Sequence, residues 1–142
     1  MFHFKKECCC EGNNSKLKIH QQASIMYVVN SKKERYHSIT IDDCDITTGC
    51  RCDQGVYLES KNIGLLIELK GSDISHAVTQ LTESLQKYKS KLLSLGASIE
   101  CFIISSNNPL SSTESQIMKV RFKKRHGVML HIKSSGFSYS YS

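Results

Sequence analysis

The chain has 142 residues, enough for one domain with a two- or three-layer core, and its 39% hydrophobic and 23% charged content with a single proline excludes collagen-like or low-complexity architecture. No run reaches the roughly 18 consecutive apolar residues of a membrane span, and residues 1–14, MFHFKKECCCEGNN, contain no continuous apolar h-region, so a cytoplasmic location is expected. A formal net charge of +6 favours a polyanionic partner.

Seven cysteines would suit a disulfide framework in a secreted chain, but the number is odd and Cys8, Cys9 and Cys10 are adjacent, so reduced thiols are expected. Residues 1–20 mix Lys, Cys, Gly and Asn without a period and read as a loose arm or an edge strand. A single domain then spans residues 21–134. Its first apolar run, Ala23 to Asn30, suits helix or strand equally, and the charged turn SKKER follows. YHSITID alternates Tyr36, Ser38 and Thr40 against His37, Ile39 and Ile41, which with its β-branched content predicts a strand.

The turn-rich DDCDITTGCRCDQG separates this strand from QGVYLES, which returns to strand character. Lys61 to Gly64 reads as a hairpin connection, and LLIELK is the returning strand. Ser72 or Asp73 caps a helix whose apolar positions Ile74, Ala77, Val78, Leu81, Leu85, Tyr88, Leu92 and Leu95 recur at three and four; Gly96 stops it. IECFIIS, residues 99–105, is an apolar run of the kind buried on both sheet faces. Ser111 and Glu114 have capping-box spacing and open a second helix that ends at Gly127. VMLHIK is a last strand, and residues 135–142 are expected to form a flexible tail. Strand, helix and strand in succession imply a parallel pair, so the fold class is α/β (α+β), a mixed sheet flanked by helices.

The strand ending Glu68-Leu69-Lys70 carries two opposite charges on one face, because strand side chains alternate. Asp53 begins the first strand of the same hairpin, and the start of one hairpin strand lies beside the end of the other, so Asp53 is expected beside Glu68. Two carboxylates and one ammonium suit phosphodiester hydrolysis. Carboxylate oxygens suit Mg²⁺ (or Mn²⁺), and the lysine orients water or stabilises developing charge.

Asp53, a strand pair, Glu68-x-Lys70, a long helix and a buried strand together resemble the PD-(D/E)xK, or restriction endonuclease-like, nuclease superfamily. The resemblance covers residues 36–133 in element order and implies an αβββαβ core. It implies a metal-dependent nuclease acting on nucleic acid, DNA in preference to RNA, and working as a homodimer. Carried over by position, Asp53 and Glu68 become metal ligands, the Leu69 carbonyl a further ligand and Lys70 the catalytic lysine. Gln80 on the following helix is an auxiliary candidate. The glutamate that many members supply from a first helix has Glu34 or Glu11 as its candidate here, with the acidic loop Asp42, Asp43 and Asp45 as a substitute. Gln86 and Tyr88 are too closely spaced for the exonuclease QxxxY pattern, and Cys52 stands where the motif has proline.

Three alternatives stand beside this. The rival reading makes Asp53, Glu68 and Lys70 ion pairs in a non-catalytic nucleic-acid-binding or protein-interaction module on the same fold. His76 and Gln80 read as exposed helix residues. The cysteines suggest a thiol metal sensor or redox protein, but Cys50-x-Cys52 lacks the usual structural-zinc gap, and only Cys101 lies downstream of the motif, too few for an iron–sulfur cluster; Cys52 and Cys101 read as core thiols. Finally, KVRFKKRHG, residues 119–127, is a basic block in which Lys119 and Lys123 lie one turn apart and are the nucleic-acid-binding candidates, with a solvated helix face as the competing reading.

Overall fold

A computed structural model describes residues 8–21, 23–41, 54–70, 74–94, 96–106 and 111–140. The elements run β1 (Cys9–Gly12), β2 (Lys16–Gln21), β3 (Ser24–Val29), β4 (Tyr36–Thr40), β5 (Gln54–Leu58), β6 (Ile63–Lys70), α1 (Ile74–Ser94), β7 (Ser98–Ser105), α2 (Ser112–His126), β8 (Met129–Ser134) and β9 (Phe137–Ser140). They form a single α+β unit with two sheets. The larger has six strands in the order β1-β4-β5-β6-β7-β8 and the smaller three in the order β2-β3-β9.

Within the larger sheet, β4, β5 and β6 form an antiparallel meander, while β6, β7 and β8 run parallel. The two parallel steps need crossovers, which α1 and α2 supply. The mixed sheet expected from the element order is therefore present. The hairpin turn spans Glu59 to Asn62, so Ile63 and Gly64 belong to β6 rather than to the connection. Asn62 takes a left-handed conformation there, which asparagine tolerates better than most residues.

Each face of the larger sheet has its own core. One is covered by α1 and α2, with Leu66 and Tyr57 packed against Ala77, Leu81, Leu85, Tyr88 and Phe122. The other is covered by the small sheet, where Ile19, Met26 and Val28 meet Leu65, Ile67, Leu69, Phe102 and Ile104. This double covering explains why β6 and β7 read as apolar runs rather than alternating ones. At Gly64 α1 comes so close that an added Cβ would lie 2.8 Å from Leu92 Cδ1, so the helix is seated where β6 lacks a side chain.

The second helix follows its sequence signals closely. Ser111 accepts from the Glu114 backbone N–H at 3.1 Å, the Glu114 carboxylate accepts from Ser111 N, and Gly127 ends the helix at φ 71°. This completes the capping box and the left-handed cap.

Several expectations need correction. The segment through Gln21 contributes two strands to two sheets: β1 is the edge of the larger sheet, against β4, and β2 pairs with β3. Residues 137–140 of the expected flexible tail are no loose end, since β9 lies parallel to β3 and pairs Phe137 with Met26 through Ser140 with Val29. Its alternation of small polar and aromatic residues gives β9 an apolar side, and that side reaches the sheet-to-sheet core. Cys8 is buried and disulfide-bonded, which corrects the expectation of reduced thiols at that residue; approach in space decides such pairing, and sequence spacing does not report it. Cys9, Cys10 and Cys101 are thiols, with Cys101 wholly buried as expected. Among the described residues no helix is long and apolar enough to cross a membrane.

Candidate active site

The charged end of β6 lies under the first turns of α1. On β6, Leu66 faces the helices while Leu65, Ile67 and Leu69 face the small sheet, so alternation puts Glu68 on the helix side. Glu68 is 1% exposed, among the largest wholly buried side chains of the protein. It pairs with Ile103 of β7 on one side, one rung beyond the Gln54–Ile67 pair with β5 on the other. A carboxylate so buried must be compensated by a cation, by donated hydrogen bonds or by its own proton.

Other polar groups of α1 and β7 are buried too. Ser84 of α1 and Ser105 at the end of β7 are wholly buried, and the side-chain oxygen of the half-buried Gln80 is shut off from solvent. Ser105 pairs through the backbone with Lys70. Their level along the sheet follows from element geometry. Gly64 meets Leu92, and four strand residues rise about 13 Å, as do about nine helical residues. Counting back from Leu92 brings Ser84 level with Glu68, and Gln80 one turn further toward Lys70. Leu69 buries its side chain on the opposite face, which leaves only its main chain for any role on this side.

The other expected site residues are distributed unevenly. Asp53, Asp42, Asp43, Asp45, Cys50 and Cys52 lie outside the described residues. For Lys70 only the backbone is described, as the last residue of β6. Glu34 is corrected. It lies between β3 and β4 and accepts a hydrogen bond from Ser60 in the β5–β6 turn, at the opposite end of β6 from Glu68. The five residue steps from Ile63 to Glu68 span about 17 Å, too far for a shared ion. No helix precedes β4 among the described residues, so the strand-rich start of this chain offers no first-helix glutamate there. Glu11 is also placed elsewhere, on β1, where Arg35 donates to it and pushes its carboxyl below the usual range. His76 is exposed as expected, whereas the partial burial of Gln80 corrects its reading as an exposed helix residue.

On α2, Lys119 and Lys123 line a groove of about 280 Å³ with Val120, Met129 and His131 along the β8 edge. The helix starts near the Ser105 end of β7 and runs back, so its basic last turn, Lys123 to His126, lies toward the opposite end of the sheet from Glu68. Among the described residues no group of three or more His, Cys, Asp and Glu side chains is placed to hold a metal ion.

A second polar cluster escaped the sequence reading. Glu100 of β7, on the small-sheet face, has His131 Nε2 2.7 Å from one carboxylate oxygen and accepts from Tyr139 Oη at 2.7 Å on the other. Phe102 stacks on the His131 ring with centroids 4.6 Å apart and meets Tyr139 edge-on at 5.2 Å. Burial first, then the hydrogen bond and charge of Glu100, push the Tyr139 phenol well above its usual range. The available signal was Glu100 itself, a charge inside an otherwise apolar run. Ser84 and Ser105 carried no comparable signal, because serine is common on exposed surfaces.

No protein-family model, curated protein or solved structure matches this chain.

Proposed function

We propose that the protein is a metal-dependent nuclease that hydrolyses phosphodiester bonds of nucleic acid, DNA in preference to RNA, with its active site at the β5–β6 strand ends. The observation that carries this reading is the wholly buried carboxylate of Glu68, placed where an antiparallel hairpin, a parallel neighbour and a crossover helix converge. Asp53 immediately precedes Gln54, and Glu68 immediately follows Ile67; the Gln54–Ile67 rung therefore supports Asp53 as the second carboxylate. The β5 residues that share the parity of Asp53, Gly55 and Tyr57, lie on the helix side with Glu68, which supports a shared face.

The donor set is all oxygen, which fits a hard cation and not a thiolate metal. Asp53, Glu68 and the Leu69 carbonyl would hold Mg²⁺ or Mn²⁺. When bound, the ion supplies Lewis-acid neutralisation of phosphate charge and lowers the pKa of water. In this proposal Lys70 holds the attacking water or the negative charge that develops on phosphorus. The carboxamide of Gln80 orients whatever occupies the Glu68 side, and burial under α1 limits competing solvent. Lys119 and Lys123 add phosphate contacts that position the duplex without reading its sequence.

The test is incubation of the purified protein with single- and double-stranded DNA and RNA, with and without Mn²⁺. The proposal expects Mn²⁺-dependent cleavage that is lost in Asp53→Ala, Glu68→Gln and Lys70→Ala. Lys70→Ala should lose rate by about a hundredfold or more with little change in affinity. Cleavage that survives Glu68→Gln would place the site elsewhere, and metal-independent binding without cleavage would favour the interaction-module reading. For the basic surface, the double variant Lys119→Ala, Lys123→Ala should flatten the log affinity versus log salt slope by roughly 0.9 for each lost duplex contact.

A further inference from the structure

We propose that the groove between α1 and α2 is the docking site of an acidic amphipathic helix from a partner protein. The two helices cover the same sheet face but touch directly near the end of α2, where Lys89 Nζ donates to the His126 carbonyl at 2.6 Å and Thr82 Oγ1 lies 3.5 Å from His126 Nε2. Between them lies a groove of about 470 Å³, with Val78, Ile117, Met118 and Phe122 as apolar lining and Arg121 and Arg125 on its rim. Of these, Ile117 is 47% exposed, and Phe122 is the buried residue by which α2 holds the domain. An apolar strip flanked on one side by guanidinium groups is an unfinished interface of the helix-in-groove kind.

Charge selects the occupant. Arg121 and Arg125 are exposed, one turn apart, and no ion pair among the described residues uses either of them. Glu114, at the other end of the groove, is engaged in the cap of α2. An approaching helix therefore gains from carboxylates along its Arg121–Arg125 side and toward its Arg125 end. A second copy of this chain is a poor occupant, because α2 ends in Lys123, Lys124, Arg125 and His126 and the chain carries a net charge of +6. Nucleic acid would satisfy the arginines but would leave Ile117 and Met118 without a partner. From Glu114 to Arg125 the groove runs about 16 Å, room for a helix of about eleven residues. This surface is independent of the chemistry proposed at Glu68.

The test uses a fluorescein-labelled twelve-residue helical peptide with leucines at i, i+3, i+4 and i+7 and glutamates beside them, a second peptide with lysines replacing the glutamates, and a DNA duplex as competitor. The acidic peptide is expected to bind at least tenfold tighter than the lysine peptide. Arg121→Glu with Arg125→Glu, and separately Ile117→Ser, should each weaken binding about tenfold; all three side chains are exposed, and unchanged urea midpoints will confirm folding. The His126 imidazole, held below its usual pKa by burial and by the Arg125 and Lys89 charges, should titrate higher when the acidic peptide is bound. Equal binding of both peptides, insensitivity to Ile117→Ser, or displacement by duplex DNA at equal concentration would overturn the proposal, the last in favour of a polyanion site. Absence of binding at millimolar peptide would overturn it outright.

Discussion

The two faces of the larger sheet are made by the same strands, yet each holds its carboxylate in a different setting. Glu100 on β7 faces the small sheet, is partly open to solvent, and has both oxygens engaged by His131 and Tyr139. Glu68 on the neighbouring strand faces the helices and is wholly buried, on the face that also buries Ser105. The first arrangement joins three strands, β7, β8 and β9, and so fastens the chain's last strand to the domain. The second lies at the end of β6, between β7 and the start of α1. A polar group on the small-sheet face is tied into three strands, and the one on the helix side is the group on which the proposed chemistry rests.

The sharpest test of the small-sheet face is Phe102→Ala. Phe102 is wholly buried and contacts His131, Phe137 and Tyr139, so the variant should lose about 3–5 kcal/mol in urea unfolding. A loss below about 1 kcal/mol would mean that the small sheet is not firmly packed there.

The helix-side face is probed by Glu68→Gln, which keeps shape and removes charge. The proposed cleavage should fall at least about a hundredfold, equivalent to about 2.7 kcal/mol in the barrier. Mn²⁺ should raise the Tm of the native protein but not of this variant, since a ligand stabilises only the state it binds. If Mn²⁺ stabilises both equally, Glu68 is not a ligand and the contrast between the two faces loses its chemical meaning.

Tyr139→Phe tests the fastening at the other face. Removing the phenol should cost about 1 kcal/mol at neutral pH. The folded phenol has a raised pKa, so its contribution is complete below the unfolded value of about 10 and is lost as pH rises through the folded one. Stability above pH 10 should therefore fall more steeply in the native protein than in Tyr139→Phe, as followed by circular dichroism; parallel curves would disprove the link.

The smallest expected effect is at His126. Burial, then Arg125 and Lys89, depress its pKa, so the stability it confers is complete above the usual histidine value of about 6.5 and declines as pH falls through the lowered one. His126→Gln should flatten the stability profile below pH 6.5. An unchanged profile would assign acid sensitivity to other groups.

Much of the fold was legible residue by residue. The periodicity of α1 from Ile74 to Leu92, the capping box of Ser111 and Glu114, the Gly127 cap and the alternation in β4 all appear where the sequence put them, because each depends on neighbours within one turn or one pleat. The parallel relation of β6 and β7 followed from the intervening helix alone. Glu68 was legible as a candidate for the same local reason, being a charge at the end of an apolar strand. What only the tertiary structure decided is contact between distant segments: β9 beside β3, β1 at the edge against β4, Glu34 at the far end of the sheet, and Glu100 between His131 and Tyr139. SSGFSYSYS has no strong local preference to declare, and its residues 137–140 become a strand because a sheet edge with an apolar face is waiting for Phe137 and Tyr139. Local patterns encode which face of an element is apolar; which element meets that face depends on the path of the whole chain, and no short window of sequence contains it.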